Sequence, residues 1–365
     1  MKTRYAPWRG RRGVCTGNRG NNRERAKQTN NQDAATKCEG TWGLCPHSPH
    51  RLHRNVRPTY VASMNTMVND DMKRPGMRES LALQQQDTMR RCLAEAGRCG
   101  KPLLFGMTTA LELHGIPKPE QCSLDTGKLH TVGTSGNGRT RTRASYVQTH
   151  VWTRAAGTVK FNNQVSALHP FQAWAQLAPY LPLEELITLG DAVVSTMHRT
   201  PSLARKRDAA AILAAFRTHI SQLTRFKGRA NAMRALPRIM PNVDSPMESK
   251  QRLALAAYGI PVPVTNHVVP DVAFASGAPM TLDMAWPEYT VAVEYDGDHH
   301  RTDKKQWQRD QEKRNLLRSR SWIILEATAA TLAEEETRAA FAFQVGRELA
   351  KRGADIPFSL TPKPL

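Results

Sequence analysis

Three acidic residues in the last third of the chain, Asp283, Glu294 and Asp296, have the types and spacing of a cation site. In an extended strand successive side chains point to opposite faces. A strand over Thr290–Tyr295 therefore puts Val291, Val293 and Tyr295 on one side and Ala292, Glu294 and Asp296 on the other. A second strand over Met280–Ala285, joined by the turn Trp286-Pro287-Glu288-Tyr289, would pair Ala285 with Thr290 and Asp283 with Ala292. That register sets Asp283 diagonally beside Glu294 on the same face. Carboxylates gathered so closely repel one another unless a hard cation lies between them, and Mg²⁺ or Mn²⁺ suits oxygen ligands. Such an ion polarises a phosphoryl oxygen, activates a bound water and steadies a leaving oxygen. Asp283, Glu294 and Asp296 are thus the candidate metal ligands. Gly297 ends the strand, and His299 and His300 follow as a general base or phosphate-facing donor. Adjacent histidines point in different directions, so one of them, His300, is taken as the candidate. The plain alternative for the acids is the solvated face of an edge hairpin.

The elements that would position these residues can be read outward from them. Ser245 is a good N-cap, Pro246 suits the first helical position, and Glu248 completes a capping box, which predicts a helix to about Tyr258. Gly259 ends it, and Val264–Val272 is a β-prone run after Pro261 and Pro263. Beyond the acids, Lys305–Arg318 reads as a charged helix in which Asp310 and Arg314 are one turn apart. Arg301, Lys304, Lys305, Arg309 and Arg314 are the candidate nucleic-acid contacts. Trp322–Leu325 is an apolar strand, and a last helix over Ala330–Lys351 offers Phe341, Phe343 and Leu349 as its core side.

Upstream, a helix starts at Arg78 and is closed by Gly97 and Gly100, and Phe105–Gly115 reads as a short helix stopped before Pro117. Strand candidates are Lys128–Val132, Ala144–Trp152 and Thr158–Phe161. Helices return at Pro170–Ala178 and Leu183–Val194, and residues 201–236 add one or two basic helices with Arg205, Lys206, Arg217, Arg225, Lys227, Arg229 and Arg234 outward. The expected fold class is mixed α/β. Its parts are a basic disordered segment (1–76), a mainly helical domain with a few strands (78–240), and an α-β-β-β-α-β-α core (245–352).

The net charge of +20 over 365 residues favours a polyanion as partner, because each neutralised phosphate releases condensed counterions. Arg-rich tails can produce the same balance without a specific ligand. Residues 1–76 are rich in Arg, Asn, Gly and Pro; they read as a nucleic-acid-binding tail or as an extension ahead of a start at Met64, Met67, Met72 or Met77, and the extension is favoured slightly. No apolar run reaches membrane-spanning length, so a soluble cytoplasmic protein is expected. Cys38, Cys45, His47, His50 and His53 are soft ligands, but the absence of a Cys-x-x-Cys pair and the polar, Pro-rich surroundings argue against zinc. The six cysteines lie in the first third at irregular spacing, which argues against a disulfide framework.

The order helix, three strands, helix, strand, helix with acids on the central hairpin resembles the PD-(D/E)XK nuclease superfamily. More narrowly, Leu282-Asp283-Met284-Ala285-Trp286-Pro287, Val293-Glu294-Tyr295-Asp296-Gly297-Asp298-His299-His300, Asp310–Arg314 and Trp322 are similar to the uncharacterised family related to very-short-patch-repair endonucleases. The resemblance covers about residues 245–330. It implies that Asp283 and Glu294 bind Mg²⁺ or Mn²⁺, that Glu248 is the upstream helix acid of the catalytic set, and that Asp296 stands where a lysine usually does. Charge stabilisation would then fall to His300 or a nearby arginine. Phe105–Val194, through Thr109-Ala110-Leu111-Glu112-Leu113-His114-Gly115-Ile116-Pro117 and the helices around Trp174 and Asp191, resembles more weakly the AbiEi-type antitoxin-like regulators. The expected function is metal-dependent hydrolysis of nucleic-acid phosphodiesters, with DNA as the favoured substrate. The alternatives are a non-catalytic DNA-binding regulator on the same fold, and a mobile-element or phage-defence component. A second copy of the chain or a toxin–antitoxin partner is compatible with the resemblance.

Overall fold

A computed structural model describes residues 76–133, 144–153, 157–296 and 304–364, with side chains in the helix after the acids described from Gln308 onward. The Cys38–His53 cluster, the basic N-terminal segment, His299, His300 and Arg301 lie outside the described residues. Those described belong to one compact unit that carries two mixed β-sheets flanked by helices.

The first half contains more sheet than its sequence suggests. Helix α1 (Met77–Cys99) runs through Gly97 and ends at Gly100, whose φ of 62° turns the chain out of the helix. The stretch expected to be a helix from Phe105 is divided: Leu103–Phe105 is strand β1, and helix α2 is Met107–Leu113. Every residue of α2 is buried, so no polar face marks it in the sequence. Strands β2 (Leu129–Gly133), β3 (Val147–Val151), β4 (Thr158–Lys160) and β5 (Val165–Leu168) complete a five-stranded sheet in the order β3-β2-β1-β5-β4. Strands β1 and β5 are thereby added to the three expected in this part of the chain. Strands β1 and β5 escape sequence reading because they are three and four residues long and buried, which leaves no alternation to detect.

Helices α3 (Pro170–Leu177), α4 (Leu183–Arg199), α5 (Pro201–Ala204), α6 (Ala209–Gln222) and α7 (Arg229–Ala235) follow. Phe171 stacks on Phe216 at 4.5 Å between ring centres, and Trp174 meets Phe216 edge-on at 4.9 Å. Arg217 is not simply solvated, since its guanidinium donates to the carbonyls of Leu236, Pro237 and Ile239.

The second sheet has the order β6-β7-β8-β9. Helix α8 (Pro246–Ala257) precedes β6 (Val264–Ala273), β7 (Pro279–Trp286) and β8 (Val291–Tyr295), which pair antiparallel. Helix α9 (Lys304–Ser319) returns the chain to β9 (Ile323–Ala327), parallel to β8. One side of the sheet packs Met284, Trp286, Val291 and Val293 against Leu255 of α8 and Phe341, Val345 and Leu349 of the last helix. The other packs Ala285 and Ala292 against Leu317 of α9 and Trp322.

The expected last helix is two, α10 (Ala329–Ala333) and α11 (Glu335–Lys351), because Glu334 is extended and caps the second. Phe343 is corrected from a core position to the surface, at 56% exposure. No described helix is long and apolar enough to cross a membrane.

Candidate functional site

Pairing between β7 and β8 differs from expectation by two positions. Trp286 pairs with Val291, Ala285 with Ala292 and Met284 with Val293. Continued by one step, this register sets Asp283 opposite Glu294 rather than diagonal to it. The turn is Pro287–Tyr289 followed by Thr290 with φ 48°, so Thr290 belongs to the turn rather than to the strand. Arg352 holds the turn through the Thr290 hydroxyl and the Tyr289 carbonyl. A shift of two keeps every side chain on its face.

Asp283 and Glu294 line one cavity of about 160 Å³ together with Tyr295, Asp296, Asp310, Lys313, Arg314 and Glu326. The Asp283 carboxylate accepts a hydrogen bond from the Tyr295 N–H at 3.0 Å. Glu294 meets the Lys313 ammonium, which reaches it from α9. Glu326, which pairs with Glu294 in the parallel ladder, is held by Arg314. Arg314, a proposed nucleic-acid contact one turn from Asp310, thus bridges α9 to β9.

Burial raises the carboxyls of both Asp283 and Glu294 above their ordinary values, opposed at Asp283 mainly by the Tyr295 N–H and at Glu294 by Lys313. Glu248, in the first turn of α8, is near enough to Asp283 to feel its charge. It is 8% exposed, and burial followed by the Asp283 charge pushes its carboxyl up to about 8. Ser245 caps α8 by accepting from the Glu248 N–H at 3.2 Å, but the Glu248 carboxylate accepts from the N–H of Asp244 at 3.0 Å, one residue earlier than a capping box requires.

Asp296 lies one residue past β8, with its N–H donating to the Ala327 carbonyl at 2.8 Å. It lines the cavity, yet among the described residues no group of three or more His, Cys, Asp or Glu side chains is placed to hold a metal ion. The two acids that the strand register sets opposite each other, Asp283 and Glu294, both line that cavity. They still fit a divalent cation, because half-buried carboxylates whose charge is disfavoured gain from an ion between them, and Mg²⁺ commonly takes one or two protein carboxylates with water and phosphate completing its shell.

No protein-family model matches the chain, and no curated protein and no solved structure matches it. The site is therefore read on its geometry.

Of the proposed nucleic-acid contacts, Lys304 and Lys305 lie in the first turn of α9, and Arg309 covers the ring of Phe274 at 4.9 Å. The residue that sequence reasoning missed is Lys313. Its signal was present: Asp310, Lys313, Arg314 and Leu317 fall at helical spacing on one side of α9, and Leu317 is fully buried.

Proposed function

We propose that the protein is a metal-dependent phosphodiesterase of the PD-(D/E)XK type acting on nucleic acid, with DNA as the favoured substrate. The observation that carries this reading is the meeting of Asp283, Glu294 and Lys313 in one cavity, with both carboxyls raised by burial. The element order α8-β6-β7-β8-α9-β9 supports it, as does a net charge of +20 around a locally acidic focus.

Asp283 and Glu294 would hold a Mg²⁺ or Mn²⁺ ion, which supplies Lewis acidity toward the phosphoryl oxygen and a water of lowered pKa. The Tyr295 N–H orients the Asp283 carboxylate toward the cavity. Lys313 balances Glu294 and would donate to a phosphate oxygen as charge develops on it. It supplies the cation that Asp296 cannot. Glu248 can keep a proton near neutrality, which spares the site a third negative charge and gives it an acid beside Asp283.

A second reading also has an observation in its favour. Lys313 already neutralises Glu294, and the described residues contain no three-ligand group, as suits a DNA-binding regulator that keeps the fold without turnover.

Supercoiled plasmid separates the two. The phosphodiesterase reading expects nicking with Mg²⁺ or Mn²⁺, none with chelator, and none from Glu294→Ala at unchanged melting temperature. Gel retardation without nicking under every metal condition would favour the regulator.

A further inference from the structure

Two histidines of the first sheet meet across neighbouring strands. Strands β2 and β3 pair in parallel, with His130 opposite Gln148 and Val132 opposite His150. Residues paired in this way share a face, and alternate residues return to it. His130, Gln148 and His150 therefore stand on one side, while Thr131 and Thr149 stand on the other, joined by their hydroxyls at 2.9 Å. His130 Nδ1 and His150 Nε2 are 3.0 Å apart, with the ring centres 5.1 Å apart.

The hydrogen bonds decide which nitrogens can take a ligand. His130 Nε2 lies 3.0 Å from the Asp125 carbonyl oxygen, which can only accept, so this nitrogen carries the proton and donates it. In the neutral ring Nδ1 is then left with a lone pair, aimed at His150. Metal-bound imidazoles usually donate their second N–H to a carbonyl or carboxylate, because that fixes the tautomer and raises the basicity of the ligating nitrogen. Asp125 gives His130 this support. His130 is fully buried and His150 only half-buried, so solvent reaches the pair on the His150 side.

The separation also suits a shared ion. Imidazole nitrogens bind Zn²⁺ at about 2.0–2.1 Å, which sets two of them on adjacent positions of one ion about 3.0–3.4 Å apart. A pair already at 3.0 Å needs its rings to turn rather than its strands to move. The proton that His150 Nε2 shares with His130 passes to His150 Nδ1, so the exchange leaves both rings neutral. The Asp283–Glu294 pair offers only oxygen and suits a hard ion, whereas imidazole suits Zn²⁺, Ni²⁺ and Cu²⁺, with Mn²⁺ the weakest of the series.

We propose that His130 and His150 form a binding site for a divalent transition-metal ion of the imidazole-preferring class, with Zn²⁺ held by His130 Nδ1 and His150 Nε2 and water in its other positions. The site is independent of the phosphodiesterase reading. Strand β3 is the last in its sheet, beside β2, and the ion pins this edge strand to its neighbour. Since the ion binds the folded chain, it stabilises that chain by mass action.

Equilibrium dialysis of the full chain against Zn²⁺, with melting temperature measured alongside, tests this. Cys38, Cys45 and the histidines near them are also zinc-binding types, so the readout is the difference between variants rather than a total. His150→Gln should match wild type in chelator and lose one bound equivalent. With it should go the rise in melting temperature that zinc gives wild type, about 5 °C at roughly 100 times the dissociation constant. Gln148→His, at an exposed position on the same face, adds a third imidazole and should tighten zinc by about tenfold or more, since even a ligand's supporting partner is worth that much. The Asp283→Asn, Glu294→Gln double variant should keep the equivalent that His150→Gln loses. Equal zinc uptake by wild type, His150→Gln and Gln148→His overturns the proposal, as does loss of the same equivalent in the double variant.

Discussion

At the scale of single residues, the site is governed by what burial does to carboxylates and where the one balancing lysine comes from. Glu248 gives a pH signature. Its carboxyl is raised in the folded chain, so its contribution to stability is fully present below the unfolded value near 4.5 and is lost as pH rises through about 8. Wild type should therefore lose melting temperature across that window, and Glu248→Gln should flatten the loss; parallel curves for the two proteins would remove Glu248 from the buried acid pair. Lys313 gives a kinetic one. Replacing it with methionine keeps the stem packed and removes the charge, and plasmid nicking should fall by about 100- to 1,000-fold, the loss typical of a single transition-state donor. A change below threefold would show that the ammonium serves only to neutralise Glu294.

At the scale of elements, the acid-bearing hairpin was legible because period-two alternation fixes a face even when the register is wrong. The register itself was not legible: Thr290 in left-handed backbone is set by the turn and by Arg352, which is 62 residues away in the sequence. Lys313 was hidden for a related reason, since a charged helix shows which residues share a side but not which strand that side covers. The buried strands β1 and β5 lacked any periodic signal, whereas α8 was announced by its N-cap and proline.

Helix α8 is held in place from the other half of the molecule. Asp191 of α4 is fully buried and accepts from Arg252 at 2.7 Å, Ser249 at 2.7 Å and the Met240 N–H at 2.8 Å. Removing Arg252 leaves that carboxylate buried without its counter-charge, so Arg252→Ala should cost about 3–5 kcal/mol in denaturant unfolding. A loss under 1 kcal/mol would mean that α8 is anchored by its apolar contacts instead.

At the scale of the whole molecule, the two halves of the chain carry different side chains into their cavities. The second sheet supplies paired acids that line one cavity, and Arg199 at the end of α4 lines two others. A chain of +20 attracts polyanions widely, but only a focus of opposite sign can hold a cation against the phosphate that the rest attracts. That cation is where the account is most exposed. Calorimetric titration of the full chain with Mn²⁺ should show saturable binding at one site, abolished in the Asp283→Asn, Glu294→Gln double variant while its melting temperature holds. Equal binding by wild type and the double variant would contradict the account.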